Sequence, residues 1–455
     1  IQVYEIEPEV IRCDATTVSA DQEVTEAGLV QFGHSKDNAK LPQIKLMCAS
    51  LDPMGMPLAS DVVSGEKADD GLYIPVIDRI NESLKKPGLL FSGDCKMSSL
   101  GIRYHLVSTG HHYLCPLPLT GKTADEMEQW ITQGIEKNEG DILTSVFREN
   151  DKGEQLLTAN GYELDRLQLF EKDGKEIQWE ERVLVIHSPA HADRQSAGLE
   201  TRLGKAKTKI EALTPQRGRG KRQITNETDL LQAITKVLKE YRVEDFLHVE
   251  YEKQVESTTK FVGKGRGSND REKRVQEKIR YQIIAVVRDE EKIDGQKKRF
   301  GWKAFVTDLS ADKLSLEDAV LSYRNEYRVE RIFNRLKSRF NIAPLFVRKD
   351  DQIKGLTYLL TLGVRVLTLI EFVIHRSLKQ DNTGLAGMHP ENRRKLASKP
   401  SAERILKAFS KINLTIIRDM AGNVILRSLT PLTSLQEEIM QRLKIHPSVY
   451  HQLEN

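Results

Sequence analysis

The sequence predicts an α/β fold: a mixed sheet flanked by helices, interrupted by a long inserted block and followed by a mainly helical C-terminal region. Three observations lead there. Residues 1–117 read as three strands, a helix and then more strands. Residues 118–308 separate two stretches that otherwise read as one domain, and this separation is far longer than a sheet connection requires. A long amphipathic helix lies within 309–345, and the remainder, 346–455, is dominated by helical periodicity.

The first strand is Glu9 to Ala20, EVIRCDATTVSA, which is rich in β-branched residues. Its period of two puts Asp14 and Thr16 on one side, and Asp is a residue that strand interiors usually avoid. QIKLMCAS and PLASDVVSG flank the turn Asp52-Pro53-Met54-Gly55 and read as a hairpin. Asp69 to Lys86 carries Leu72, Val76, Ile80 and Leu84 at helical spacing, and Pro87-Gly88 ends it. GLLFSGDCKMSS then forms a short apolar strand that runs into Asp94, and HHYLCPLPL from His111 another. An acid at the end of a buried strand occupies the place where α/β sheets collect ligands.

The inserted block is mixed. Leu164 to Ser188 predicts a hairpin turning at Asp173-Gly174, and Ala190 to Leu213 and Thr228 to Tyr241 predict amphipathic helices. Arg271 to Glu291 and Lys297 to Asp308 predict strands that turn near Asp294-Gly295. Two basic, glycine-rich stretches interrupt the block: TPQRGRGKR with Arg217, Arg219, Lys221 and Arg222, and KFVGKGRGSNDREKR with Lys264 and Arg266. Either can be a solvated loop, but cations on a flexible glycine backbone can also follow DNA phosphates without reading sequence.

The chain's most organised stretch is Leu314 to Phe340, which reads as one helix with three faces. Val329, Ile332, Phe333, Leu336 and Phe340 form an apolar arc, and Arg324, Arg328, Arg331, Arg335 and Arg339 gather opposite it. Tyr323, Glu326, Glu330, Asn334 and Lys337 form a third stripe between them.

Composition bounds the function. The chain has 455 residues, 30% of them charged, with a formal net charge of only +3, so any nucleic-acid surface must be local. Cys13, Cys48, Cys95 and Cys115 are isolated in sequence, which argues for a reducing compartment and against a disulfide framework or a zinc site. No signal peptide is visible, and the chain begins at Ile1. The apolar run from Leu356 approaches the length of a membrane span, but Arg365 and Glu371 lie inside it, each costing about 2.5 to 3.5 kcal/mol at a bilayer centre. It reads as a buried helix, and no membrane partner is expected.

Asp14, Asp94 and Glu330 come from a strand, a neighbouring strand end and a late helix. Three such carboxylates can hold two divalent cations, because magnesium prefers oxygen ligands and retains waters for substrate. Two metals about 3.5 to 4 Å apart activate the attacking oxygen and stabilise the leaving one in phosphodiester chemistry.

CDATT around Asp14, GHSKD at Gly33 to Asp37, the Pro-Gln-Ile-Lys strand, SGDCKMSS around Asp94, and Tyr323, Glu330 and Lys337 in this order resemble the DDE transposases of bacterial insertion sequences. The branch is the one with a Tyr-Arg-Glu-Lys signature and a β-strand insertion domain, and the resemblance extends to the tail RSLTPLTSLQEEIMQRL. It implies a ribonuclease H-like catalytic domain in two parts, 1–117 and 309–345, with a β-strand-rich insertion at 118–308 and a helical region at 346–455. It implies Asp14, Asp94 and Glu330 as catalytic ligands of Mg2+, for which Mn2+ can substitute, and Tyr323 and Lys337 near the DNA backbone. Arg324, Arg328, Arg331 and Arg335 are then expected to position phosphates, and Trp302 is either a half-buried strand aromatic or a base-stacking residue.

The implied partner is DNA, both transposon ends and target, in the bacterial cytoplasm at the nucleoid, with a homodimer bringing two ends together. One departure stands out: Glu326 occupies the arginine position of the signature. A carboxylate cannot bind phosphate there, so the role is vacant or has moved to Arg324 or Arg328. Two other readings remain open: a catalytically degenerate DNA-binding remnant, and a ribonuclease H-like nuclease or resolvase. Asp14 lies so close to Ile1 that a family-type N-terminal DNA-binding region is expected to be absent from this chain.

Overall fold

The computed structural model describes residue 4 and residues 6–452, apart from 141, 151–152, 173, 219–220, 222, 263–272 and 393. The chain divides into two compact units. The first contains Ile1–Pro118, Asp165–Arg182 and Val306–Asn455, and the second contains Leu119–Leu164 and Val183–Phe305.

The first unit begins with β1 (Val10–Ser19), β2 (Gln43–Leu51) and β3 (Met56–Ser64), with β2 antiparallel to both β1 and β3. A turn of 3-10 helix leads into α1 (Tyr73–Leu84), which ends at Lys85 in the left-handed conformation. β4 (Leu90–Gly93), α2 (Leu100–Ser108) and β5 (His112–Pro116) follow. β4 pairs with β1 in parallel and β5 with β4 in parallel, giving the order β3-β2-β1-β4-β5. This is the ribonuclease H-like sheet, in which β1 is central and therefore buried on both sides. Its side chains show it: from Ala15 to Ala20 every residue is buried.

The second unit has α3 (Lys122–Glu139), β6 (Thr144–Glu149), β7 (Gln155–Lys172), β8 (Lys175–His187), α4 (Pro189–Glu211), α5 (Glu227–Tyr241), β9 (Leu247–Phe261), β10 (Lys273–Arg288), α6 (Glu290–Lys298) and β11 (Trp302–Thr307). Residues 165–182, the distal part of the β7–β8 hairpin, group with the first unit, as does the end of β11. Leu199, Leu203, Ala206 and Ile210 of α4 pack with Leu230, Ile234 and Val237 of α5 on Tyr281, Ile283 and Val286 of β10. Where the sequence predicts a turn at Asp294-Gly295, the chain is helical through both residues. Asp289 caps α6 by accepting from Lys292 N, and acids begin the helix while lysines end it, so the ends match the helix dipole. Those local effects outweigh the single glycine, which costs a helix only about 1 kcal/mol.

The last part of the first unit also departs from expectation. Leu314 to Phe340 is not one helix: α7 (Leu316–Tyr323) gives way to a 3-10 turn at Arg324–Glu326, then α8 (Tyr327–Asn334) and a π-helical turn at Arg335–Arg339. The break coincides with a contact made across the fold. Buried Arg12 reaches from β1 to the Ser322 carbonyl and also lies 3.3 Å from Ser322 Oγ, holding the end of α7 in place. After that turn, Val329, Ile332, Phe333 and Leu336 pack on Val18 of β1 and on Ile44, Leu46 and Cys48 of β2.

α9 (Asp350–Gln380) follows, then α10 (Ala402–Lys407), the hairpin β12 (Leu414–Arg418) and β13 (Val424–Leu429), α11 (Ser434–Arg442) and α12 (Ser448–His451). Among the described residues α9 alone is long and apolar enough to cross a membrane by length and composition. Its two interior charges are spent inside the protein. Arg365 donates to the carbonyls of Pro57 and Leu58 at 2.7 and 2.5 Å. Glu371 accepts from Arg331, Arg335 and the Ala402 amide.

Candidate active site

The parallel pairing of β1 and β4 sets Cys13 opposite Gly93. Asp14 and Asp94 are the next residues on each chain segment, so the two acids stand side by side where β4 ends. Asp14 is paired in register with Cys48, Thr16 with Leu46 and Val18 with Ile44. By the two-residue period of a strand these residues share a face, and that face is the one α8 covers. The neighbouring charge is felt at Cys48, whose thiol is pushed up to about 12 by burial and then by Asp14.

Asp94 is held tightly. Its Oδ1 accepts from the Tyr73 hydroxyl at 2.6 Å and from the Lys96 amide at 2.9 Å. Tyr73 is 1% exposed, and burial followed by the charge of Asp94 raises its phenol far above the usual tyrosine range, so it stays protonated and donates. Asp14 Oδ1 accepts from the Ala15 amide at 2.7 Å. Lys36, in the segment Gly33 to Asp37, donates from Nζ to the Ala15 carbonyl at 2.8 Å. The Lys36 amide donates to Thr17 Oγ1 at 3.0 Å and fixes this segment along β1.

Glu330 is exposed on α8, next to buried Val329. Among the described residues no group of three or more His, Cys, Asp or Glu side chains converges to hold a metal ion. Thus the fold brings Asp14 and Asp94 together, and it leaves Glu330 on the covering helix outside a closed ligand set. The donors present still fit magnesium, which commonly takes one or two protein carboxylates and completes its shell with water and phosphate.

The other expected site residues separate. Lys337 is ion-paired with Asp37 at 2.8 Å. Arg328 donates to the Pro53 carbonyl and lies 3.7 Å from Asp52. Arg331, half exposed, bonds Glu371, and Arg324 is exposed. Between Tyr323 and Glu330 the helix tightens to a 3-10 turn at Arg324–Glu326. Arg335 is a correction: only 4% exposed, it is bound by Glu371 at 2.5 Å and Glu403 at 2.9 Å and has no path to a phosphate. Arg335 still shares a face with Arg331, since both meet the same Glu371 oxygen, and it is buried because Glu371 of α9 and Glu403 of α10 close over that part of the face.

Trp302 is likewise buried, at 6% exposure, with the His187 ring tilted against it at a centroid distance of 4.9 Å and its Nε1 donating to the Lys298 carbonyl. A Cβ at Gly134 would come within 2.6 Å of the indole, so the ring fills space that only glycine leaves open. It is a packing residue of the second unit. In the basic stretches, Arg217 is paired with Glu256 and Lys221 is exposed, while Arg219, Arg222, Lys264 and Arg266 lie outside the described residues. Tyr73 joins the site without having been expected there, and it has no sequence signal beyond its place at the start of a helix.

The sheet thus carries one acid, Asp14, on β1 and a second, Asp94, just past the end of the parallel strand β4. The model of the transposase DDE domain family matches residues 6–364, most of the chain, and the chain belongs to that family. No curated protein matches it. Among solved structures, the piggyBac transposase synaptic complex with hairpin DNA is similar at 10% identity and a TM-score of 0.22, over 37% of this chain and 32% of that chain.

Proposed function

We propose that this chain is a DNA transposase that cuts transposon ends and joins the exposed 3′-hydroxyl to target DNA. The observation that carries the reading is the adjacency of Asp14 on β1 and Asp94 just past the end of β4, within a chain of the transposase DDE family. In this reading Asp14 and Asp94 hold Mg2+, or Mn2+ in its place, and Glu330 supplies a third carboxylate from α8. The bound ions would activate the attacking oxygen and stabilise the leaving one. The protein's part is placement: Tyr73 and the Lys96 amide orient Asp94, while Tyr323, Arg324, Arg328, Arg331 and Lys337 hold phosphates. Residues 118–308 act as an insertion that helps grip the transposon end, with Arg217 and Lys221 on the DNA backbone. The host is bacterial, the compartment cytoplasmic at the nucleoid, and two copies pair the ends. α9 serves as a core helix, its Arg365 and Glu371 satisfied within the protein.

Glu326 and the outlying Glu330 favour one alternative, a DNA-binding relative without catalysis. A plasmid strand-transfer assay with the wild type and Glu330→Gln tests both. Joining by the wild type that is lost in the variant supports the transposase. Cleavage without joining points to a nuclease, and binding alone in both proteins to the inactive relative.

A further inference from the structure

The geometry points to Tyr73 as the residue that positions Asp94 for cation binding, an inference that rests on the reading of Asp94 as a metal ligand. Tyr73 opens α1, directly after the 3-10 turn Asp70–Leu72, so its ring is delivered from the helix start into the sheet end. It is 1% exposed, and its hydroxyl meets Asp94 Oδ1 at 2.6 Å. The Lys96 amide meets the same oxygen at 2.9 Å. Two donors on one oxygen fix the plane of the carboxylate and leave Oδ2 as the oxygen to meet a cation. A carboxylate fixed in this way binds metal without first giving up rotamer freedom, which is why partners behind a ligand affect affinity so strongly.

Gly93 makes the approach possible. A Cβ at that position would stand 3.1 Å from Tyr73 Cε1, 3.1 Å from the Cys13 carbonyl and 2.8 Å from Met97 Sδ. The ring therefore lies against the backbone that joins β4 to Asp94, beside the strand that carries Asp14. The short motif Ser92-Gly93-Asp94 is then a unit in which glycine admits the tyrosine and the tyrosine sets the acid.

The test is Mn2+ binding to the full chain without DNA, followed by calorimetry, for wild type, Tyr73→Phe, Gly93→Ala and Asp94→Asn, each with its thermal unfolding midpoint. Tyr73→Phe keeps the ring and removes only the donor, so its affinity for Mn2+ should fall about 10-fold with the midpoint nearly unchanged. Gly93→Ala should weaken binding in the same direction. In end cleavage, the Mg2+ concentration for half-maximal rate should rise in Tyr73→Phe while the rate at saturating Mg2+ largely recovers. Wild-type Mn2+ affinity in Tyr73→Phe, with or without a lower midpoint, overturns the proposal and leaves Tyr73 a packing residue. Wild-type affinity in Asp94→Asn overturns it at its base, by removing Asp94 from the ligands.

Discussion

Lys337 Nζ lies 2.8 and 2.9 Å from the two carboxylate oxygens of Asp37, joining the π-helical turn after α8 to the Gly33 to Asp37 segment that runs along β1. The lysine side chain is 19% exposed and the aspartate 30%, so the pair stands at the surface. A phosphate arriving there competes with Asp37 for one ammonium. Asp37→Asn should therefore tighten DNA binding, by about 3-fold to 10-fold at low salt, and Lys337→Ala should weaken it and lower the salt slope by about 0.9. Binding isotherms at several salt concentrations check both, and identical slopes for Lys337→Ala and wild type would remove Lys337 from the DNA surface.

Arg335 makes the opposite prediction. It is buried between Glu371 of α9 and Glu403 of α10, and Thr368 Oγ1 lies 3.3 Å from its Nη1. Removing one partner of a buried pair strands the others, so Arg335→Ala should cost about 3 to 5 kcal/mol in denaturant unfolding. A stable Arg335→Ala protein with weakened DNA binding would restore the arginine to the phosphate-binding face.

The same cluster gives a pH dependence. Burial raises the Glu403 carboxyl, but the Arg335 guanidinium, the residue's own amide and Ser401 outweigh it and hold the group at about 2, below its ordinary value of 4.5. A depressed folded value means that ionised Glu403 stabilises the fold above pH 4.5, and that this contribution fades as pH falls from there toward about 2. Glu403→Gln should lower stability at neutral pH and flatten the acid limb between those values. Equal acid limbs in thermal melts of the two proteins would count against it.

The loop around Arg217 yields a fourth prediction. Replacing Arg217, Arg219, Lys221 and Arg222 together should reduce the salt slope of end binding by about 0.9 for each phosphate that the variant no longer neutralises. Because Arg217 is paired with Glu256, replacing it alone should have the smaller effect. Equal slopes for the fourfold variant and wild type would mark the stretch as a solvated loop.

Trp302 supplies a last contrast. Packed against Gly134 and His187, it should cost about 3 to 5 kcal/mol when cut to alanine. If Trp302→Ala instead keeps its stability and alters only the cleavage products on denaturing gels, the ring turns out to act on DNA.

Much of the first unit is legible in the sequence because its signals are local. β1 announces itself by its β-branched residues, β2 and β3 by the turn at Asp52-Pro53 between them, and α1 by the four-residue spacing of its apolar side chains. α2 leaves no comparable mark, having almost no apolar asymmetry to detect, with Ile102, Arg103 and Leu106 buried on a short helix. α3 is amphipathic, with Met127 and Trp130 buried, but it follows Gly121 and carries no side-chain cap, so its start is unmarked. For the site, Asp14 and Asp94 can be picked out as acids in strand positions, but their adjacency depends on which strands pair, and pairing is a long-range choice.

By itself the sequence determined the element types of the sheet, the position of each acid along its strand, and the apolar arc that docks α8. Those follow from side-chain period and turn chemistry, which act over a few residues. Only the tertiary structure decided that Arg12 would reach Ser322 at the end of α7, that Arg335 would be spent on Glu371 and Glu403, that Lys337 would meet Asp37, and that Tyr73 would stand behind Asp94. Each of these joins residues far apart in the chain. A charged or polar side chain that loses water takes whichever partner the fold brings within reach, and periodicity along one segment cannot name that partner.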